Sequence, residues 1–203
     1  MSYIFSPYEE EIWNRLTQYF PDTAVAGIMG NMADESTIYP YRQGGGMSIP
    51  DSWTYTQQVD NGTITESEFI NQYVGYGLCM WTYISRKQGL YDTHVTLQQS
   101  IGSVNVNIAW MMQELQYGYN PVYVALLDPN ITVRQASDLF MTDYEAPADM
   151  SQAHKDLRFG YSMQIYNKYH GGTPPQPIPP STKKMPFWML LGKKNFLERC
   201  GLK

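Results

Sequence analysis

The segment TAVAGIMGNMADES, residues 23–36, carries an apolar helical stripe that ends at a carboxylate. Its apolar residues recur with the spacing of one helix face, and they are Val25, Ile28, Met29 and Met32. At about 100° per residue, Glu35 falls within roughly 20° of Ile28, on the apolar face, whereas Asp34 points away from it. The segment therefore predicts a buried helix with Glu35 at its carboxyl end and with a solvated Asp34.

The position of Glu35 predicts a carboxyl group that resists ionisation. Burial disfavours its charged form, and so does the negative end of the helix dipole, so we expect a raised pKa. A carboxylic acid that stays protonated near neutral pH can protonate a glycosidic oxygen as a general acid. The alternative is a Glu at a frayed helix end that turns to solvent, and the helical pattern by itself leaves both interpretations open.

Composition limits the classes of partner. The chain has 203 residues, a net charge of −5, 17 Tyr and 5 Trp. This length suits one domain with a sizeable core. The negative charge and the lack of a basic stripe argue against a nucleic-acid partner. The many Tyr side chains are typical of sugar-binding surfaces and equally of ordinary cores, so composition leaves the ligand open.

The cysteines and histidines predict no metal chemistry. Cys79 and Cys200 lie far apart, and no ligand spacing relates the three histidines, which are His94, His154 and His170. We therefore expect no disulfide framework, no metal site and no cofactor. The amino terminus lacks the pattern of a signal peptide, and no segment has the length of a transmembrane span. These features predict synthesis in a cytosol, with another route to any site of action outside it.

Capping signals predict a mostly helical chain. Further helices are expected to begin near Ser6, Thr65, Thr96, Asn120, Thr132 and Ser151. The Thr96 signal opens the most strongly patterned of these, with one apolar face over residues 97–115. The last, residues 151–169, is expected to turn Leu157, Tyr161 and Ile165 inward.

The remaining segments predict a small β element and two terminal extensions. Residues 54–64 are typical of a β-hairpin turning at Gly62, after an irregular loop at residues 43–50. The predicted fold is therefore α+β, mostly α, within a domain of residues 1–172. Residues 173–182 form a proline-rich linker. Residues 183–203 form a tail, for which a docking peptide for a partner protein, an interfacial segment and a disordered terminus all stay open.

Three sequence blocks together resemble the phage tail lysozyme family, the peptidoglycan-cleaving domains of bacterial virus tails. They are AGIMGNMADES at residues 26–36, GYGLCMWT at residues 75–82 and FMTDYEAPA at residues 140–148. The resemblance implies a lysozyme-like helical domain with a small hairpin and a glycan groove between them. It also implies cleavage of the β-1,4 bond between N-acetylmuramic acid and N-acetylglucosamine, with Glu35 as the catalytic acid.

The second and third blocks imply substrate contacts and contain two departures from the family pattern. Tyr76 and Trp81 are expected near the groove, where an aromatic ring can stack on a sugar, although Trp81 equally suits a core position. Met80 stands where the family usually has Gln, so a substrate contact there exchanges an amide for a thioether. In the third block Tyr144 is a further candidate contact, and Ala146 stands where the family commonly carries Arg.

A second carboxylate is expected in most glycoside hydrolases. Asp51 and Asp60 lie in the loop and hairpin that would line the opposite wall of the groove, and either alone suits a turn. Glu145 is the third candidate, with a structural role at a helix end as its alternative. Enzymes of this superfamily also work with a single Glu, which leaves hydrolase and lytic transglycosylase both open.

These expectations describe a virion tail component that acts on glycan strands of the host cell wall. Its tail peptide would contact other virion tail proteins. The competing class is a catalytically silent wall-binding or tail-structural module, and the observation that supports it is Met80 in place of the usual Gln. A host-encoded remodelling enzyme of the cell envelope shares the chemistry but not the location.

Overall fold

The structure, a computed structural model, describes residues 4–170, and this part of the chain is built from helices. The α-helices are α1 (Glu9–Leu16), α2 (Asp22–Ser36), α3 (Ile49–Asp60), α4 (Glu66–Asn71), α5 (Ile84–Leu97), α6 (Val104–Gln113), α7 (Asn120–Leu126), α8 (Val133–Leu139) and α9 (Gln152–His170). Two π-helical segments continue α6 and α8, namely π1 (Glu114–Gly118) and π2 (Phe140–Glu145). Isolated π-helical turns are frequently found at functional sites.

Helix α2 forms the centre of the domain and is buried around its whole circumference from Thr23 to Ala33. Helices α8 and α9 pack across it and across each other. Two glycines permit the close approach. A Cβ on Gly27 would lie 2.6 Å from Cβ of Ala136 in α8, and one on Gly30 would lie 1.9 Å from Oγ of Ser162 in α9. Gly27 thus admits α8, and Gly30 admits α9 near the end of α2 that carries Glu35.

The predicted hairpin at residues 54–64 is wrong, because most of this segment lies in α3. Ser48 caps that helix, its side-chain oxygen accepting from the backbone N–H of Asp51 at 3.2 Å, and Pro50 lies in the first turn. The buried residues recur with helical spacing: Ser52, Tyr55, Thr56 and Val59. Gly62, with φ of 77°, follows the helix end and does not turn a hairpin. Within residues 4–170 the β structure is confined to isolated bridges, Gln43 with Tyr76 and Tyr76 with Trp81.

The long helix predicted over residues 97–115 is interrupted. Thr96 lies in the last turn of α5, and the chain leaves that helix at Gln98 with φ of 53°. The next helix begins only at Val104, where the hydroxyl of Ser103 accepts from the backbone N–H of Val106. A hydroxyl capable of capping is therefore present at both positions, and tertiary packing selects the second.

Several other helices are confirmed. The capping boxes at Thr65 and Thr132 are formed, and α2, α7 and α9 follow the predicted ranges closely. The inward face of α9 is partly as predicted: Ile165 is fully buried and Tyr161 half-buried, but Leu157 is 46% exposed. Arg158 takes the inward position with 1% exposure, and this determines the site described below.

The proposed linker and tail, residues 173–203, lie outside the described part of the chain. Among residues 4–170, no helix combines the length and the apolar character that a membrane crossing requires.

Candidate active site

Glu35 lies in the last turn of α2 and its side chain is 21% exposed. The carboxylate oxygen Oε1 accepts a hydrogen bond from Nη2 of Arg158. Close approach of α9 to α2 at Gly30 makes this contact possible. The Glu35 side chain is therefore fixed by its hydrogen bond from Arg158 and is still partly exposed to solvent.

Arg158 is the centre of a cluster of carboxylates. Its Nη1 donates to Glu145 and, at 2.9 Å, to the amide oxygen of Asn31, while Nε lies 3.0 Å from Oδ2 of Asp34. The guanidinium thus contacts three carboxyl groups that come from two different parts of the chain. His154 contacts Asp34 and completes the group. We call Asp34, Glu35, Glu145, His154 and Arg158 the Arg158 cluster. A planar guanidinium with five donors suits such a multiple contact.

Glu145 is the buried carboxyl group of the Arg158 cluster. It ends π2, and its side chain is 4% exposed. Burial raises the pKa of Glu145 to about 8; the nearby Glu35 acts in the same direction, while Arg158 opposes both. Oε1 of Glu145 makes no hydrogen bond within the described residues. Glu145 therefore holds a proton over much of the neutral range.

Asp34 is also part of the cluster, so the predicted solvated position is wrong. Its side chain is 19% exposed and contacts both Arg158 and His154, whose Nε2 lies 2.7 Å from Oδ2 of Asp34. This contact is the chief reason that the pKa of His154 is raised. The helical wheel of α2 alone does not include α9, which covers the side of α2 to which Asp34 points. Protons on Glu145 and His154 both reduce the excess of negative charge around Arg158.

A second buried carboxylate, Glu114, joins the second and third sequence blocks. Its side chain is 4% exposed and accepts from Nε1 of Trp81 at 2.7 Å, from the hydroxyl of Tyr144 at 2.6 Å and from Nε of Arg86 at 2.7 Å. The guanidinium of Arg86 also lies 4.7 Å from the centre of the Tyr144 ring. Glu114 is the first residue of π1, so each π-helical segment supplies a carboxyl group to this region.

Cys79 is the buried cysteine of the second block, with 5% exposure. Burial raises the pKa of its thiol well above the ordinary value, and Glu145, Glu114 and Glu35 act in the same direction. The turn of the second block is closed by two hydrogen bonds between the backbones of Tyr76 and Trp81, at 2.9 and 3.1 Å.

Three of the predicted substrate contacts lie in the core. Tyr76 and Tyr144 are each 1% exposed and Trp81 is 0% exposed. The hydroxyl of Tyr76 is 2.6 Å from Oγ1 of Thr56. Because these rings are buried, none of them presents a face to a sugar in this structure. Their burial favours a role in packing the core. Stacking of a sugar on them stays a prediction. Met80 is half-buried with φ of 44°, and its methyl group packs against Gly44.

Of the three candidates for a second carboxylate, Glu145 is the one brought to Glu35. Asp51 lies at the start of α3, where its carboxylate accepts from the hydroxyl of Ser48 at 2.5 Å. Asp60 accepts from the backbone N–H of Ile101 at 2.9 Å and lies 3.8 Å from Nδ1 of His94. The Asp51 contact caps α3, whereas the Asp60 contacts tie the end of α3 to α5 and to the segment before α6.

Sequence reasoning missed Arg158, which organises the whole cluster. Its only signal is spacing: Arg158, Ser162 and Ile165 share one face of α9 and are buried. A buried Arg among polar and small residues is indistinguishable from a solvated one until the helix that it faces is known. Among residues 4–170, no three His, Cys, Asp or Glu side chains are arranged to hold a metal ion.

Glu35 and Glu145 are carboxyl groups in contrasting environments, one partly exposed and one buried, around the same arginine. Acid–base catalysis requires such groups. The family model described as phage tail lysozyme matches residues 8–169, and the chain belongs to this family. The match includes Glu35, Glu145 and Arg158. Family membership indicates a lysozyme-like enzyme that acts on peptidoglycan.

Proposed function

We propose that the protein cleaves the β-1,4 bond between N-acetylmuramic acid and N-acetylglucosamine in peptidoglycan, with Glu35 as the general acid. The observation that carries this proposal is the Arg158 cluster, in which a partly exposed Glu35 and a buried Glu145 contact the same guanidinium. Of the two, Glu35 is the group that a glycan strand can reach. Virion location, in a phage tail, follows from the family and belongs to this proposal.

The acid step belongs to Glu35. Glu35 and Glu145 contact the same guanidinium, and burial raises the pKa of Glu145 to about 8. A bound glycan excludes water from Glu35, which in its protonated form donates its own proton to the leaving glycosidic oxygen. The same carboxylate accepts a proton from the attacking hydroxyl, either of water or of the substrate.

The test is digestion of purified peptidoglycan sacculi by the wild type, Glu35→Gln and Glu66→Gln, with soluble muropeptides read by mass spectrometry. Glu66→Gln is the matched control, because it makes the same chemical change at an exposed position outside the Arg158 cluster. We expect release by the wild type and Glu66→Gln, and none above background by Glu35→Gln. Thermal unfolding of all three proteins checks that the fold is kept.

The products also separate the alternatives. Reducing ends would establish hydrolysis, and 1,6-anhydro ends a lytic transglycosylase. A wild type that sediments with the sacculi and releases nothing would refute the enzyme and leave a wall-binding module, the class to which the half-buried Met80 at a predicted substrate contact points.

A further inference from the structure

Four aromatic rings form a connected group beyond the carboxyl end of α2. The rings of Tyr8, Tyr39 and Tyr41 contact one another edge to face, with centroids 5.6, 5.7 and 5.9 Å apart. Trp53 of α3 joins them, its centroid 5.2 Å from that of Tyr41. We call these four residues the Tyr41 platform. Edge-to-face contacts stabilise aromatic pairs, so the rings hold each other in place.

The platform has a buried base and an exposed edge. Tyr41 is 8% exposed, Tyr8 and Tyr39 are half-buried, and Trp53 is 43% exposed. Burial raises the pKa of Tyr41 to about 12, and the neighbouring phenols of Tyr8 and Tyr39 act in the same direction. The surface therefore combines an exposed indole with neighbouring phenolic hydroxyls.

The backbone places this platform near Glu35. The chain turns sharply after α2, where Thr37 and Ile38 have φ of 54° and 61°, and the backbone N–H of Tyr39 donates to Ser36 at 3.1 Å. Tyr39 is four positions after Glu35 in the chain, so their Cα atoms are at most about 14 Å apart. The hydroxyl of Ser6 donates to the carbonyl oxygen of Ile38 at 2.8 Å and so fixes the segment that carries Tyr8.

We propose that the Tyr41 platform is a subsite for the glycan strand, adjoining the Arg158 cluster. A sugar ring has an apolar C–H face and a polar rim. The face matches the exposed indole of Trp53, and the rim matches the phenolic hydroxyls, which both donate and accept hydrogen bonds. The inference rests on the proposed function for its ligand, because the same strand must extend on both sides of the bond that is cut.

Binding is measured by co-sedimentation with purified sacculi, using Glu35→Gln as the parent so that no substrate is consumed. We expect Trp53→Ala to weaken binding about tenfold, while Trp53→Phe, which keeps a ring, stays within about threefold. The matched control is Tyr73→Ala, which removes a ring that is 86% exposed and lies outside the platform, and it should bind like the parent. A soluble N-acetylglucosamine oligomer should displace the parent from the sacculi.

Equal binding by Trp53→Ala and the parent would overturn the subsite. So would an equal loss in Tyr73→Ala, or failure of the oligomer to compete, which would point to a protein or peptide partner on this surface. These results are independent of cleavage. If the wild type releases no muropeptides and binding still depends on Trp53, the proposed function fails and the subsite stands. If the wild type releases muropeptides and binding does not depend on Trp53, the subsite fails and the proposed function stands.

Discussion

At the scale of single residues, Glu145 has the most unusual environment in the site. Its pKa is raised to about 8 chiefly by burial, whereas in the unfolded chain the pKa of this carboxyl group is the ordinary 4.5. Between these values the folded protein binds more protons than the unfolded chain, so stability falls as pH rises. The raised pKa of His154 acts in the same direction, since its stabilisation is also lost as pH rises.

Replacement of Glu145 by Gln should therefore remove a pH dependence. Between about pH 5 and pH 8, we expect the free energy of unfolding of the wild type to fall relative to that of Glu145→Gln, by up to about 1.4 kcal/mol per pH unit. Urea unfolding of both proteins at several pH values measures the difference. Glu66→Gln, at an exposed position, is the control, and parallel curves for Glu145→Gln and wild type would contradict the assignment.

Sequence reasoning located one side of this cluster and not the other. Glu35 can be predicted because its helix has a continuous apolar stripe that fixes its phase. Arg158 cannot, because α9 carries polar residues on its inward face and its pattern equally suits a helix with Leu157 inward. A buried charge is defined by its partners, and two of those of Arg158, Asn31 and Glu35, lie more than a hundred residues away in the chain.

At the scale of elements, the contact between α2 and α9 sets the geometry of the site. A Cβ on Gly30 would lie 2.6 Å from the backbone nitrogen of Ser162 and 2.8 Å from the carbonyl oxygen of Arg158. Backbone atoms cannot turn aside as a flexible side chain can, so the helices would have to separate. The Arg158 guanidinium would then move relative to Glu35.

Gly30→Ala should lower the free energy of unfolding by about 3 kcal/mol and reduce activity on sacculi. Gly160→Ala is the matched control in α9, because a Cβ there meets no atom within 4 Å. We expect it to raise stability by up to about 1 kcal/mol, since alanine is the better helix former. Denaturant unfolding compares the two variants, and equal effects would refute the close-packing argument.

The same scale explains the hairpin error. Residues 54–64 contain β-branched residues and a glycine turn, which is the local pattern of a hairpin. Ser48 and Pro50 begin a helix upstream, and the buried positions of α3 follow its period. The capping boxes at Thr65 and Thr132 form as their four-residue patterns predict, whereas the similar pattern at Thr96 lies at the end of α5 and opens no helix. The start of α3 has Ser48 as its cap but no complete box, so its local sequence does not identify it.

At the scale of the whole molecule, Glu114 ties α5, π1, π2 and the turn of the second block together. Its partners Trp81, Arg86 and Tyr144 come from three of these elements. Removing one member of a buried ion pair leaves the other charge without compensation. This arrangement gives Glu114 a structural role, because it holds these four elements together.

Glu114→Gln should therefore destabilise the domain by about 3 to 5 kcal/mol. Glu11→Gln is the control: Glu11 also pairs with an arginine, Arg15, but both side chains are well exposed, at 48% and 38%. Its effect should stay within about 0.5 kcal/mol. Thermal or denaturant unfolding measures both, and a small effect of Glu114→Gln would show that the buried pair is not what holds these elements together.

The central claim is that Glu35, rather than its buried neighbour, transfers the proton. The most direct test compares initial rates of muropeptide release from sacculi by the wild type, Glu35→Gln and Glu145→Gln, each folded and at equal sacculus occupancy. We expect Glu35→Gln to lose about 10²-fold or more of the rate and Glu145→Gln to retain measurable release. A Glu35→Gln protein that releases muropeptides at a rate close to wild type, beside an inactive Glu145→Gln, would contradict the account and make Glu145 the acid.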